Sequence, residues 1–184
     1  IISTDSRNIT SENLFLPLVG ANFNGHDFIE SVIEKGCKAV IVDKAHKDMV
    51  SSFSGEITFI TVEDTKEAYL QIANYYRKLV MPYVVAITGS SGKTTTKEMV
   101  YSVLSKQFNT HKSLLNHNNE IGLCQTLLTM PKECDYLVIE MGMRGSGEIE
   151  LLSKYAEPDI AVITNIGTAH IGILGSVDNI AKAK

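Results

Sequence analysis

The sequence predicts an α/β fold in two units, because strand-like and helix-like segments alternate along its 184 residues. Short runs rich in β-branched residues are separated by longer segments whose apolar side chains have helical spacing. Pro82 interrupts the alternation, and a glycine-rich turn joins the next strand to the next helix. We expect a small α/β unit over residues 1–82 and a second unit over residues 83–184, with a mainly parallel sheet and right-handed crossovers.

The first unit combines three predicted strands with two predicted helices. Gly36 is a suitable stop for the first helix, and Asp64 is placed to cap the second. The strands are expected at 14–19, 38–43 and 57–62, and the helices at 26–35 and 65–80.

The second unit begins with a buried strand, and strands and helices then alternate to the end of the chain. Ser176 or Asp178 is expected to cap its last helix. The strands are expected at 83–88, at 136–141 and in the first part of 159–167, and the other helices at 93–106, 121–130 and 148–155.

Composition places the chain among ordinary globular proteins, with 44% hydrophobic and 21% charged residues. A net charge of −4 provides no general attraction to nucleic acid or to anionic membranes. No secretory signal is visible, and the apolar runs are too short to span a bilayer. We therefore expect no nucleic-acid partner and no membrane insertion. Nothing in the sequence suggests more than a monomer.

The three cysteines, Cys37, Cys124 and Cys134, are odd in number and widely spaced, which fits neither a disulfide framework nor a zinc site. They are expected to pack in the core of a protein of the reducing cytoplasm. The chain starts at Ile1 rather than at a methionine, and it stops at Lys184 inside a predicted helix. We expect it to be a fragment of a longer chain.

The strongest local motif is a glycine-rich turn between a predicted strand and a predicted helix. Its glycines let backbone amides point at phosphate oxygens, and the helix start adds a positive dipole end. The lysine can neutralise phosphate charge, and the hydroxyl after it can bind Mg²⁺. The longer phosphate-loop pattern needs a glycine where this chain has Ile87, so the alternative is a structural turn with a solvated lysine. The predicted nucleotide-binding residues are Thr88, Gly89, Ser90, Ser91, Gly92, Lys93, Thr94 and Thr95.

Two further polar residues follow neighbouring predicted strands. Glu140 ends an apolar strand, and His170 follows the next strand after a short loop. Because the carboxyl ends of parallel strands meet at one edge of a sheet, Thr94, Glu140 and His170 are expected to converge. Oxygen ligands suit Mg²⁺. The alternatives are a solvated strand-end acid and a loop histidine with a backbone partner.

Several motifs in order resemble the Mur ligase family, which includes the folylpolyglutamate synthetases. The resemblance extends over most of the chain and is strongest to the members that add D-Ala-D-Ala. The first unit contributes two short loops to it, DSR at 5–7 and NGHDF at 24–28. The other runs are TGSSGKTTT at 88–96, HNNEIGL at 117–123, VIEMGMRGSGEIELL at 138–152, PDIAVITNIGTAHI at 158–171 and the closing IAKAK.

The resemblance implies roles for single residues of the second unit. Glu140 and His170 correspond to metal-binding residues of the family, and Lys184 corresponds to a lysine that is carbamylated and helps to hold a second metal. The implied catalytic residues are Lys93, His170 and Lys184. Asn119 is the implied substrate contact, with Asn118 left open because of the register, and helix capping is the alternative for either.

In the first unit, the resemblance implies that two loops hold the uracil and diphosphate of a UDP-linked precursor. Their residues are Asp5, Ser6, Arg7, Asn24, Gly25 and His26. The alternative is local structure, with the two aspartates of these loops as caps and the arginine in a salt bridge. His46 and His111 show no functional pattern.

The implied reaction is ATP- and Mg²⁺-dependent ligation of D-Ala-D-Ala to UDP-N-acetylmuramoyl-tripeptide through an acyl phosphate. We expect the fragment alone not to ligate. Three alternatives stay open at this point: a family member that adds a single amino acid, a generic P-loop nucleotide hydrolase or kinase, and a module that only binds the UDP-linked precursor.

Overall fold

A computed structural model describes residues 1–53, 55–114 and 117–184. The described chain forms two compact units, Ile1–Tyr69 and Leu70–Lys184, each containing its own sheet. The division falls within one long helix, whereas the sequence places a boundary at Pro82. The boundary at Pro82 stays a prediction.

In the first unit, four parallel strands follow one another in chain order across the sheet. The strand predicted at 14–19 is limited to two paired residues, and Pro17 follows shortly after with no amide to donate to a neighbouring strand. The strands are β1 (Ile2–Ser3), β2 (Leu14–Phe15), β3 (Ala39–Asp43) and β4 (Thr58–Val62).

The helices of this unit are α1 (Ile29–Glu34) and the start of α2 (Thr65–Val80). Asp64 caps α2, as predicted, because its carboxylate accepts a hydrogen bond from the amide of Glu67 at 2.7 Å. Three 3-10 helices complete the unit at Ser6–Asn8, Gly25–Phe28 and Lys44–Ser52. The core that joins sheet to helices consists of Ile9, Phe15, Ile29, Val32, Cys37, Val40 and Val42.

The second unit also has a fully parallel four-stranded sheet, in the order β6-β7-β5-β8. Its strands are β5 (Tyr83–Thr88), β6 (Thr110–Lys112), β7 (Tyr136–Glu140) and β8 (Ile160–Ile163). The central strand β5 is buried from Val84 onwards. The parallel α/β fold class predicted from the sequence is therefore confirmed.

Five helices follow in this unit: α3 (Lys93–Leu104), α4 (Glu120–Leu128), α5 (Glu148–Ala156), α6 (Ile171–Leu174) and α7 (Val177–Ala183). The side chain of Ser176 accepts a hydrogen bond from the amide of Asn179 at 3.1 Å, so Ser176 rather than Asp178 caps α7. All three cysteines of the chain are buried, as the core-packing expectation requires. Among the described residues, none of the helices combines the length and apolarity of a membrane span.

Candidate functional site

The predicted phosphate loop lies between β5 and α3, at the centre of the second sheet. Gly89 and Gly92 have φ angles of 145° and 78°, conformations that favour glycine. The turn leaves Lys93 as the first residue of α3, where the leading amides have no intrahelical acceptor. The Nζ atom of Lys93 donates to the Gly89 carbonyl at 2.9 Å, so the lysine folds over the loop. The arrangement offers amides, a helix dipole and a cation to a phosphate group.

Glu140 ends β7 and lies directly beside this loop. Only 6% of the residue is exposed. One of its carboxylate oxygens accepts a hydrogen bond from the Thr94 hydroxyl at 2.7 Å, and the other accepts from the Asn118 amide at 3.0 Å. Hydroxyl and carboxylate oxygens are ligands that Mg²⁺ prefers. Of the predicted metal ligands, the structure brings Thr94 and Glu140 together.

His170 and Lys184 are placed differently. His170 is exposed at the start of α6 with a φ of 67°. Within the described ranges, no hydrogen bond or ion pair joins its imidazole to Thr94 or Glu140. Lys184 is half-buried, and burial, followed by the charge of the nearby Lys93, lowers the pKa of its amine. The predicted metal and catalytic roles of His170 and Lys184 therefore stay predictions.

The two asparagines before α4, Asn118 and Asn119, make different contacts. Asn119 is the N-cap of α4, and its side chain accepts a hydrogen bond from the Gly122 amide at 2.9 Å. Asn118 instead donates to Glu140 and so belongs to the candidate metal site. The capping alternative holds for Asn119, and its predicted contact with a substrate stays a prediction.

The rest of the phosphate loop contacts the segment that follows β8. The amides of Ser90 and Ser91 donate to the carbonyl and side-chain oxygens of Asn165, at 3.1 and 3.2 Å. The Thr88 hydroxyl is buried with no hydrogen-bond partner in the described chain, and Thr95 is exposed on α3. The loop is thus held by a neighbour that the sequence did not identify.

In the first unit, Asp5, Ser6 and Arg7 form a local structure at the end of β1. Asp5 caps a 3-10 helix and pairs with the Arg7 guanidinium through two hydrogen bonds of 2.8 and 2.9 Å. The hydrogen bonds from Arg7 lower the pKa of Asp5 to about 2. The Ser6 carbonyl accepts from Lys35 at 2.8 Å. The capping and salt-bridge alternative is present, and contact of this loop with a substrate stays a prediction.

The loop of Asn24, Gly25 and His26 is held by a closed circuit of hydrogen bonds. The Asn24 side-chain oxygen lies 3.0 Å from the His26 amide and 2.8 Å from its Nδ1, and the Asn24 side-chain nitrogen lies 2.9 Å from Nε2 of His46. The Asp43 amide donates to Nε2 of His26 at 3.3 Å, and the Asp43 carboxylate lies 2.6 Å from Nδ1 of His46. The side-chain polar atoms of the loop thus have partners within the protein, and their predicted contact with a substrate stays a prediction.

This circuit, which we call the histidine clamp (Asn24, His26, Asp43 and His46), has the atoms of a metal site but not the geometry. Ligand atoms of His26, Asp43 and His46 lie within 4.8 Å of one another. The two rings, however, stack 3.9 Å apart with an interplanar angle of 12°. A metal ion binds in the plane of an imidazole, and two nearly parallel planes share no such point. Burial lowers the pKa of His26, which favours the neutral ring that the circuit requires.

The sequence missed four residues that the structure places at these sites: Asp43, His46, Thr164 and Asn165. Asp43 and Thr164 stand immediately at or after strand ends, which is the signal that identified Glu140. His46 and Asn165 lack such a signal, because their contacts join residues far apart in the sequence.

The class of the second unit follows from its phosphate loop, a glycine turn between strand β5 and helix α3. Glu140 of the adjacent strand β7 contacts the hydroxyl of Thr94, the residue after Lys93. The second unit is a P-loop α/β unit. Comparisons with known proteins identify its family. The model of the Mur ligase middle domain matches residues 87–184, and that of the Mur ligase family catalytic domain matches residues 1–77. The chain belongs to the Mur ligase family.

Individual relatives are similar to this chain over all or nearly all of its length. The UDP-N-acetylmuramoyl-tripeptide--D-alanyl-D-alanine ligase of Synechocystis sp. is 45% identical over 183 residues, covering 100% of this chain and 39% of the relative. A crystal structure of MurF from Acinetobacter baumannii has a TM-score of 0.91 at 42% identity, covering 100% and 39% of the two chains. MurF from Thermotoga maritima in complex with ADP has a TM-score of 0.88 at 31% identity, covering 99% and 41%. The chain therefore spans about two fifths of the length of these relatives.

Proposed function

We propose that the chain provides the nucleotide site and the UDP-precursor site of an ATP-dependent ligase that adds D-Ala-D-Ala to UDP-N-acetylmuramoyl-tripeptide in peptidoglycan synthesis. The observation that carries this proposal is the similarity of the entire chain to ligases of that name. The contact between Thr94 of the phosphate loop and Glu140 in this chain supports it. The relative crystallised with ADP supports ATP as the nucleotide.

In the proposed reaction, the γ-phosphoryl group of ATP passes to the terminal carboxylate of the tripeptide, giving ADP and an acyl phosphate. The amine of D-Ala-D-Ala then attacks the acyl carbon, the amide bond forms, and phosphate leaves. Lys93 stabilises the phosphoryl oxygens as charge moves among them, which is the main contribution a protein makes to such transfers.

Mg²⁺ fits the donors present, because Thr94 and Glu140 offer a hydroxyl and a carboxylate oxygen 2.7 Å apart. When bound, the ion neutralises phosphate charge. Asn118 fixes the second carboxylate oxygen of Glu140 and so orients the first toward the helix start. We extend the proposal by resemblance to His170 as a further metal ligand, and to a carbamylated Lys184 that helps to hold a second metal ion.

In the first unit, we propose that the loops of residues 5–7 and 24–26 lie against the uridine diphosphate. The side chain of Arg7 is 85% exposed although its guanidinium pairs with Asp5, so it is accessible to a phosphate. The histidine clamp keeps the second loop in one conformation, which lowers the entropy lost when a ligand binds.

Calorimetric titration of the 184-residue chain tests both sites. Mg-ATP and UDP-N-acetylmuramoyl-tripeptide should each bind saturably, and neither should be turned over with D-Ala-D-Ala. The corresponding dipeptide precursor is the control for a ligase that adds one amino acid. Preference for the tripeptide supports the proposal, and preference for the dipeptide contradicts it.

A pair of variants tests the nucleotide site. Glu140→Gln removes the anionic ligand with little change of shape and should weaken Mg-ATP binding about tenfold. Glu150→Gln, at an exposed position of α5, makes the same chemical change elsewhere and should bind like the wild type.

If Mg-ATP binds but neither precursor does, the proposal fails for the first unit and a generic P-loop hydrolase or kinase gains support.

A further inference from the structure

The segment after β8 makes several hydrogen bonds to the phosphate loop. The Thr164 hydroxyl donates to the Ser91 carbonyl at 2.6 Å, and the Thr164 amide donates to the Thr88 carbonyl at 3.0 Å. The amide of Gly167 donates to the Ser90 hydroxyl at 2.9 Å. Thr164 and Gly167 are thereby fixed to three residues of the phosphate loop.

The side chain of Asn165 pairs with the backbone of Ser91 through both its oxygen and its nitrogen, as a neighbouring strand would. Its side-chain oxygen accepts from the Ser91 amide at 3.2 Å, and its side-chain nitrogen donates to the Ser91 carbonyl at 3.1 Å and to the Ser91 hydroxyl at 3.0 Å. Its own carbonyl accepts from the Ser90 amide at 3.1 Å. One asparagine therefore satisfies both amides that precede Gly92.

These contacts distinguish two groups of backbone amides in the turn. The amides of Ser90 and Ser91 have acceptors within the protein, whereas the amides that open α3 have no intrahelical acceptor. The loop is also shorter than the usual pattern, since Ile87 stands where that pattern has a glycine. A shorter loop has fewer residues with which to fix its own shape, and the neighbouring segment supplies the missing contacts.

The approach between the loops is also close. A Cβ atom on Gly89 would lie 1.9 Å from the Thr164 hydroxyl oxygen, so the loop and this segment leave no room for a side chain. The same segment continues to His170, which begins α6 five residues after Asn165. A short stretch of backbone therefore connects the residues that contact the phosphate loop to His170.

We propose that Thr164 and Asn165 are positioning residues of the nucleotide site, an inference that rests on the proposed function. They hold the shortened phosphate loop so that the amides opening α3 face the phosphates. They also couple nucleotide binding to the segment that carries His170.

Four variants test the proposal by titration with Mg-ATP. Thr164→Val keeps the shape and removes the donor to Ser91, and Asn165→Leu removes the paired amide. Each should weaken binding about tenfold, the effect of one or two net hydrogen bonds. Thr164→Ser restores the hydroxyl and should bind within about threefold of the wild type. Thr129→Val is the matched control, because it removes a hydroxyl that bonds to Gln125 within the end of α4.

Hydrogen exchange supplies a readout that a purely structural role would not change. In the wild type, Mg-ATP should slow exchange in the 164–170 segment, and in Asn165→Leu the segment should no longer respond even at saturating nucleotide. Thermal unfolding of each variant separates a loss of fold from a loss of coupling. If Asn165→Leu does not fold, the comparison of Thr164→Val with Thr164→Ser decides alone.

The outcomes separate the two proposals. If the wild type binds Mg-ATP and Thr164→Val and Asn165→Leu bind it equally well, the positioning role is wrong and the proposed function survives. Tighter binding by Asn165→Leu also overturns the positioning role, because the asparagine would then compete with the phosphate. If the wild type binds no Mg-ATP, the proposed nucleotide function fails and this inference fails with it.

Discussion

Asp43 should be the most sensitive position of the histidine clamp. Its carboxylate, 14% exposed, accepts from the backbone amide of His46 at 3.0 Å and lies 2.6 Å from the ring nitrogen of the same residue. Burial alone would raise the pKa of Asp43, but hydrogen bonds from His46 and the proximity of both histidines lower it, so the residue is charged at neutral pH. Asp43→Ala removes both hydrogen bonds.

The size of the effect follows from these contacts. The capping bond from the His46 amide contributes about 0.5–2 kcal/mol and the charge-assisted bond with the His46 ring about 1.5–3 kcal/mol, so the variant should lose about 2–5 kcal/mol of stability in the first unit. For a unit of this size, that loss lowers the unfolding temperature by roughly 10 °C or more. Asp43→Asn keeps an acceptor oxygen and should lose less.

The assay must report on the first unit separately from the second. Hydrogen exchange of peptides from the segment 24–46 should accelerate in Asp43→Ala, and peptides from the phosphate loop should not change. Asp48→Ala, an exposed acid of the following 3-10 helix, is the control and should match the wild type. Unchanged exchange in Asp43→Ala would refute the clamp. A wild type destabilised by a metal chelator would show instead that the cluster binds a metal ion.

Three further predictions concern other parts of the chain. Because burial lowers the pKa of His26, denaturant unfolding should show the first unit losing stability as pH falls from about 6.5 through the lower folded-state pKa; a gain would contradict this. Gly89→Ala should abolish measurable Mg-ATP binding in calorimetry, because its Cβ would meet Thr164 at 1.9 Å; near-normal affinity would contradict the observed loop. Lys97→Met should lower the free energy of unfolding by about 1–3 kcal/mol, since it leaves the Ser113 carbonyl without the 2.8 Å hydrogen bond it now accepts; an unchanged denaturation midpoint would contradict this.

The sequence predicts the long elements well because their signals are local. The helices α2 and α3 and the strands β3, β4, β5 and β7 lie within a few residues of their predicted positions. Short elements such as β6 (Thr110–Lys112) escape prediction, because three residues carry too little periodicity to distinguish a strand from a loop. The 3-10 helix at Lys44–Ser52 also escapes prediction, because its nine residues include only three apolar side chains, Ala45, Met49 and Val50.

In the candidate sites, too, features with a local signal could be predicted and contacts between distant segments could not. The phosphate loop and Glu140 could be predicted because strand ends and glycine turns are visible in the sequence. The contact of Asn118 with Glu140 and that of Asn165 with Ser91 could not, because each depends on how distant segments pack. The hydrogen bonds of Asn24 with His26, and of His26 with Asp43 at the end of β3, could not be predicted from the sequence either.

The register of β5 explains why these distant segments meet. Ile87 pairs with Glu140 on β7, and Thr88 pairs with Ile163 on β8. The acid therefore ends level with the start of the phosphate loop on one side, and Thr164 begins level with it on the other. A slip of one residue in either pairing would turn these side chains to the opposite face of the sheet. The candidate nucleotide site thus depends on strand register as much as on the loop motif, and substitutions in β5 that shift register should impair it even where the loop itself is unchanged.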